Sequence, residues 1–212
     1  MTNKKLIIIG AGSVGKFIAY NNYNFIQTYE IIGFLDDDVA KHNTIIAGIP
    51  VLGSVDRLTE FANSGIALVF GIAFPNVKKH LFAKYQHLDF EFPSFISKNA
   101  WISNEVTIGK GTILYPGISI NYESCIGDFV VINMNCAVGH NCSIDSFSSL
   151  SPGVNLGGNT ILGDSVEMGI GSCTLQGISI ANSSKIGGQA MVTKDVTVTS
   201  TLTGIPAKPI GL

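Results

Sequence analysis

From Ile96 onward, every sixth residue is aliphatic for about a hundred residues: Ile96, Ile102, Ile108, Leu114, Ile120, Ile126, Ile132, Val138, Ile144, Leu150, Leu156, Leu162, Met168, Thr174, Ile180, Ile186 and Val192. Sixteen of these seventeen are apolar, Thr174 being the exception, and no insertion breaks the phase. A period of six fits neither an amphipathic helix nor an alternating strand. It is the signature of a parallel β-solenoid built from hexapeptides, each one short strand and one turn. Three hexapeptides close a triangular coil, so residues eighteen apart lie one above the other. Coils should stack at about 4.8 Å, the spacing of hydrogen-bonded strands. The fifth position also points inward and reads small or β-branched, as at Val106, Thr112, Ser124, Cys136, Cys142, Ser148 and Thr160. Glycines recur at the second position (Gly109, Gly127, Gly139, Gly157, Gly163, Gly169, Gly187). The expectation is a corner there with backbone angles that a Cβ would forbid.

This pattern resembles the left-handed β-helix of the hexapeptide-repeat acyltransferases. The handedness follows from that resemblance, since the usual crossover rule gives the opposite hand. Charged residues make up only 13% of the chain, which suits flat faces that bury against neighbours. A net charge of −2 gives no general attraction for nucleic acid or an anionic membrane. The N-terminal apolar run at residues 6–9 stops at Gly10, too short to span a membrane, and no signal-peptide cleavage pattern follows. A cytoplasmic protein is expected. The cysteines Cys125, Cys136, Cys142 and Cys173 all lie in the repeat without CxxC spacing, which points to packing rather than disulfide, zinc or catalysis.

Residues 1–92 read differently from residues 93–212, with the junction at residues 89–95, which contain Pro93. Strands are expected at 5–9, 30–35 and 66–70, and helices at 14–22, 55–62 and 76–86, the last entered by Pro75. This alternation implies a small parallel sheet of Rossmann-like topology. Between the first strand and helix lies Gly10-Ala-Gly12-Ser-Val-Gly15, a literal GxGxxG, and Asp36-Asp37-Asp38 ends the second strand. NAD is not expected. The domain has length for about one mononucleotide half, and no hydride-transfer domain follows. The loop requires only a phosphate or pyrophosphate at a helix N-terminus, which a nucleotide sugar supplies equally well. A turn that binds nothing is the alternative. Asp36 and Asp37 lie where a ligand could reach them, whereas Asp38 reads as solvated.

Of four histidines, only His140 lies in the repeat. It follows a glycine corner and points outward, with Tyr122 and Gly158 eighteen residues away on either side. Gly158 should leave open space over the imidazole, an arrangement suited to a general base. An incidental surface histidine is the alternative. A lone histidine per chain excludes the three-imidazole zinc site of a β-helical carbonic anhydrase, and no metal is expected.

The small Rossmann-like domain, the solenoid with His140 in its middle, and the closing Gly204-Ile-Pro206-Ala-Lys208 together resemble the nucleotide-sugar N-acetyltransferases of bacterial glycan synthesis. These form part of the sialic-acid O-acetyltransferase-like family, and the pattern is most similar to its UDP-4-amino-sugar acetyltransferases of the bacillosamine pathway. The resemblance implies that His140 deprotonates a sugar amine attacking acetyl-CoA and that Asn133 helps position the sugar. Asn141 stands where the family usually has an acidic residue that orients the ring; Glu123, eighteen residues before Asn141, is the candidate for the missing charge. The implied nucleotide-sugar site comprises Gly10, Gly12, Ser13, Val14, Asp36, Asp37 and Gly71, with Ser13 and Val14 replacing the usual glycine and common histidine. The implied CoA groove, between subunits of a homotrimer, comprises Gly158, Ile170 and Gly188, with Ser149 where a histidine is often found. Lys208 could reach a CoA phosphate. O-acetylation of a sugar hydroxyl, a non-catalytic nucleotide-sugar-binding protein and an NAD-sensing regulator are the competing readings.

Overall fold

The apolar run at residues 6–9 becomes the buried centre of strand β1 (Lys5–Ile9). Strands covered on both faces read as continuous hydrophobic runs rather than alternating ones. The sheet order is β3 (Ile45–Ile46), β4 (Ile49–Gly53), β2 (Glu30–Leu35), β1, β5 (Ala67–Phe70). All pairs are parallel except β3 with β4, an antiparallel hairpin absent from the sequence expectation. Its two turn residues, Ala47 and Gly48, both have positive φ, the geometry usually signalled by Asn-Gly. Helix α1 (Ser13–Asn21) buries Val14, Gly15 and Ile18, and α2 (Pro75–Tyr85) opens on its proline. The segment expected as a helix near residues 55–62 is a 3-10 helix, Val55–Phe61, anchored by Val55 and Leu58. Two apolar residues three apart align along a 3-10 helix, and seven residues give an α-helix little else to bury.

The computed structural model describes residues 4–210. Two compact units divide the chain: Met1–Ala73 with Val77–Phe95, and Phe74–Asn76 with Ile96–Leu212. The second is the solenoid, a left-handed β-helix. Its two-residue strands run from β6 (Phe95–Ile96) to β22 (Met191–Val192) and form three parallel sheets. First-face strands end at Ile96, Leu114, Ile132, Leu150, Met168 and Ile186; second-face strands end at Ile102, Ile120, Val138, Leu156, Thr174 and Val192; third-face strands end at Ile108, Ile126, Ile144, Leu162 and Ile180. Partners are eighteen residues apart, as in Ser119↔Ala137↔Asn155. Strand β23 (Thr201–Thr203) extends the first face, and β24 (Lys208–Pro209) pairs antiparallel to it.

The inward aliphatic residues form one continuous core. The buried fifth-position hydroxyls are satisfied within it. Thr112, Ser124 and Ser148 donate to the carbonyls of Gly127, Gly139 and Gly163 at 2.8–3.0 Å, and each accepts from the backbone N–H eighteen residues on. A buried hydroxyl left without such partners would be costly. Cys136 and Cys142 repeat the pattern with Sγ, and burial pushes both thiols up, Cys136 to about 11. Such thiols remain protonated at neutral pH.

The second-position glycines serve a different purpose from the one expected. Left-handed backbone falls at the fourth position, from Glu105 through to Gln189, with φ between 55° and 75° in every turn. Gly139, Gly157 and Gly169 are instead sites of close approach: a Cβ on each would lie 2.5–2.7 Å from a backbone N of the next coil.

Candidate active site

His140 leaves the second face in the turn after Ala137–Val138, half-buried. Its ring lies flat on Tyr122 of the coil before, centroids 5.4 Å apart and planes 13° from parallel. Gly158 of the next coil covers the other side. The sequence suggested open space there, but the imidazole fills it: a Cβ on Gly158 would come within 2.6 Å of Nε2 and 2.9 Å of Cε1. The glycine thus lets Nε2 remain where it is. Nδ1 is 2.8 Å from Asn141 Oδ1, and Asn141 Nδ2 donates to Glu123 Oε2 at 2.6 Å. Asn141 and Glu123 both sit in the left-handed fourth position, one coil apart, and the Asn141 N–H donates to the Tyr122 carbonyl at 3.0 Å. Stacked turns therefore bring Tyr122, Glu123, His140, Asn141 and Gly158 together. The part played by Tyr122 was not assigned from sequence, although the eighteen-residue offset pointed to it.

The glycine motif folds as a tight strand-to-helix turn. Gly10 has φ +94°, and a Cβ on Gly15 would lie 2.0 Å from the Gly10 carbonyl oxygen. A Cβ on Gly71, at the end of β5, would lie 2.6 Å from the Gly15 Cα. Around Gly12 nothing lies within 4 Å of an added Cβ, and no side chain caps the start of α1, where Ser13 and Val14 follow. This is the geometry of an anion cradle. Asp36 braces it: Oδ2 accepts from the Ala11 N–H at 2.7 Å and from Lys41 Nζ at 3.0 Å, while Oδ1 accepts from the Asp38 N–H at 2.9 Å. Burial pushes the Asp36 carboxyl up, but the N–H groups of Asp38 and Ala11 with Lys41 outweigh it and hold the group below the usual carboxylate range. Asp37 is exposed, and its Oδ1 accepts from the Val55 N–H at 2.9 Å. Lys41, not singled out from sequence, completes this cluster.

Among the described residues, no cluster of three or more His, Cys, Asp or Glu side chains could hold a metal ion, and no helix is long and apolar enough to cross a membrane.

Residues 5–85 match the PglD N-terminal domain family. The acetyltransferase domain of PglB from Neisseria gonorrhoeae FA1090 superposes with a TM-score of 0.89 at 29% identity, covering 98% of this chain and 100% of that one. The same domain has been solved with acetyl coenzyme A. A perosamine N-acetyltransferase from Caulobacter crescentus, a histidine-to-asparagine variant in complex with CoA and GDP-perosamine, gives a TM-score of 0.90 at 25% identity over 98% and 97% of the two chains. WeeI from Acinetobacter baumannii AYE gives 0.85 at 25% over 98% and 100%. Over nearly its whole length this chain is similar to these acetyltransferases, one of them solved with CoA and GDP-perosamine.

In this chain the solenoid residues singled out from sequence fall into two groups. His140, Asn141, Glu123 and Gly158 share the corner after the second face. Asn133, Ile170 and Gly188 share the corner after the first face, where the Asn133 Oδ1 accepts from the Met134 N–H at 2.8 Å and Ile170 is 62% exposed. Ser149 lies on the first face itself, and exposed Lys208 lies on β24 at its end. Within one chain, a full face separates the two corners.

Proposed function

We propose that this enzyme transfers the acetyl group of acetyl-CoA to the amine of a nucleotide-linked amino-deoxysugar, with a UDP-linked 4-amino sugar as the acceptor. The observation that carries the reading is the held imidazole. His140 lies between Tyr122 and Gly158, and its Nδ1 is engaged by Asn141, which leaves Nε2 for chemistry.

In the proposed reaction the sugar amine attacks the thioester carbonyl carbon while Nε2 of His140 takes the amine proton. The Gly158 N–H, one coil above, receives the developing oxyanion; fixed donors of this kind lower acyl-transfer barriers strongly. Collapse of the tetrahedral intermediate breaks the C–S bond, and the departing thiolate takes the proton held on His140. Asn133 positions the sugar, and Ser149, Ile170, Gly188 and Lys208 line the CoA path. The loop of Gly10, Gly12, Ser13 and Val14, with Gly71 beneath it, holds the nucleotide phosphates; Asp36 shapes that loop and Asp37 stands beside it.

The split between two corners supports a homotrimer. A neighbouring copy, with its first-face corner beside this copy's second-face corner, completes the set. The test is thiol release from acetyl-CoA with UDP-, GDP- and dTDP-linked 4-amino sugars and with 4-hydroxy counterparts. Fastest turnover of the UDP-linked amine is expected. Preference for another nucleotide would overturn the UDP assignment, and equal turnover of the hydroxyl would overturn N-transfer.

A further inference from the structure

The hydrogen-bond chain beside His140 has a direction, and its far end dictates it. A carboxylate offers acceptor sites only. Glu123 Oε2 therefore draws the NH2 group of Asn141, at 2.6 Å. That leaves Asn141 Oδ1 to face His140 Nδ1, at 2.8 Å. An amide oxygen cannot donate, so Nδ1 must carry the proton. A neutral imidazole with its proton on Nδ1 has its lone pair on Nε2. Nε2 is the nitrogen that lies against Gly158, where no Cβ obstructs it.

We propose that Glu123 is a positioning residue that fixes His140 in the Nδ1–H tautomer through Asn141, so that Nε2 is always the proton acceptor. The inference rests on the reading of His140 as the general base. It gives Asn141 a defined function that an amide alone lacks. Without an acceptor-only partner, the Asn141 side chain can turn over and present its NH2 to Nδ1. The imidazole proton then sits on Nε2, and the acceptor is lost. The stacked backbone supports the relay: Asn141 and Glu123 share the fourth turn position with φ 56° and 55°, and the flat Tyr122 ring holds the imidazole plane.

The variant that isolates this property is Glu123→Gln. Glutamine keeps the size and can still accept from Asn141, but it can also donate. The fold tolerates glutamine in this turn position, since Gln189 occupies the equivalent place with φ 59°. The experiment is 15N NMR of the histidine side chains at about pH 9, where an ordinary imidazole is neutral, paired with steady-state kinetics on acetyl-CoA and the UDP-linked 4-amino sugar. Wild type should show His140 as a single Nδ1–H tautomer. Glu123→Gln should show both tautomers, with kcat down about tenfold or more, the scale of disturbing a general base, and both KM values within about twofold of wild type. Glu123→Gln combined with Asn141→Asp restores an acceptor-only group beside Nδ1 and should recover the single tautomer and most of kcat. A single Nδ1–H tautomer with wild-type kcat in Glu123→Gln would overturn the proposal. Undiminished turnover in His140→Ala would instead overturn the underlying assignment of the base.

Discussion

In the proposed mechanism Nε2 of His140 is the atom on which the chemistry turns, and the residues around it can be tested singly. His140→Ala should lower kcat by about 10²- to 10⁴-fold, the usual contribution of a general base, while CoA affinity measured by calorimetry stays unchanged. Gly158→Ala is a finer probe. A Cβ there meets Nε2 at 2.6 Å, while the backbone φ is outside the left-handed region, so the main chain accepts alanine and the conflict falls on the ring. The ring must move or the acceptor is covered. A displacement of about 1 Å at a reacting group costs on the order of 10²-fold, so kcat should fall by about that factor with little change in melting temperature.

At the scale of elements, Thr174, the one polar residue in the first-position row from Ile96 to Val192, has a structural task. Thr174 Oγ1 accepts from the Gly157 N–H at 3.0 Å and shares a 2.8 Å hydrogen bond with Thr160 Oγ1, which donates to the Gly157 carbonyl. The ladder opens here: Asn155–Leu156 and Cys173–Thr174 pair only through Asn155 and Cys173. Thr174→Val keeps the shape and strands the Gly157 N–H, which should cost about 1–3 kcal/mol, read from the denaturant midpoint. In the first unit, Asp36 predicts a pH dependence. Its carboxyl is held below its ordinary value, so its stabilisation is present above the unfolded value, about pH 4, and disappears as pH falls through the folded value. The melting-temperature gap between wild type and Asp36→Asn should be open at pH 6 and narrow progressively as pH falls below the unfolded value. The sequence reading was strongest where burial alone writes the pattern. β1, β2 and the inward row of the solenoid were legible because buried positions admit few residue types. The β3–β4 hairpin was not, because Ala47-Gly48 adopts a turn without its usual asparagine. Glycine also misled at the second position, where it marks close approach of coils rather than positive φ. Glu123 could be found from the eighteen-residue offset alone. The brace formed by Asp36 and Lys41 could not, since no periodicity connects strand ends to the glycine loop.

For the whole molecule, the division of site residues between two corners has a consequence for assembly. If neighbouring copies complete each other's sites, light scattering should give a mass near three times the 22.5 kDa of one chain. Mixing His140→Ala with an Asn133→Ala variant under exchange conditions should then restore part of the activity, because some sites would draw both intact corners from different chains. The most direct test is thiol release from acetyl-CoA in the presence of a UDP-linked 4-amino sugar, followed by mass analysis of the sugar product. Release by wild type, an acetyl group on the sugar nitrogen, and loss of both in His140→Ala are the predicted results. Release with no acetylated sugar, or an acetylated sugar formed equally well without His140, would contradict the assignment of this imidazole as the base of an amino-sugar acetyltransferase.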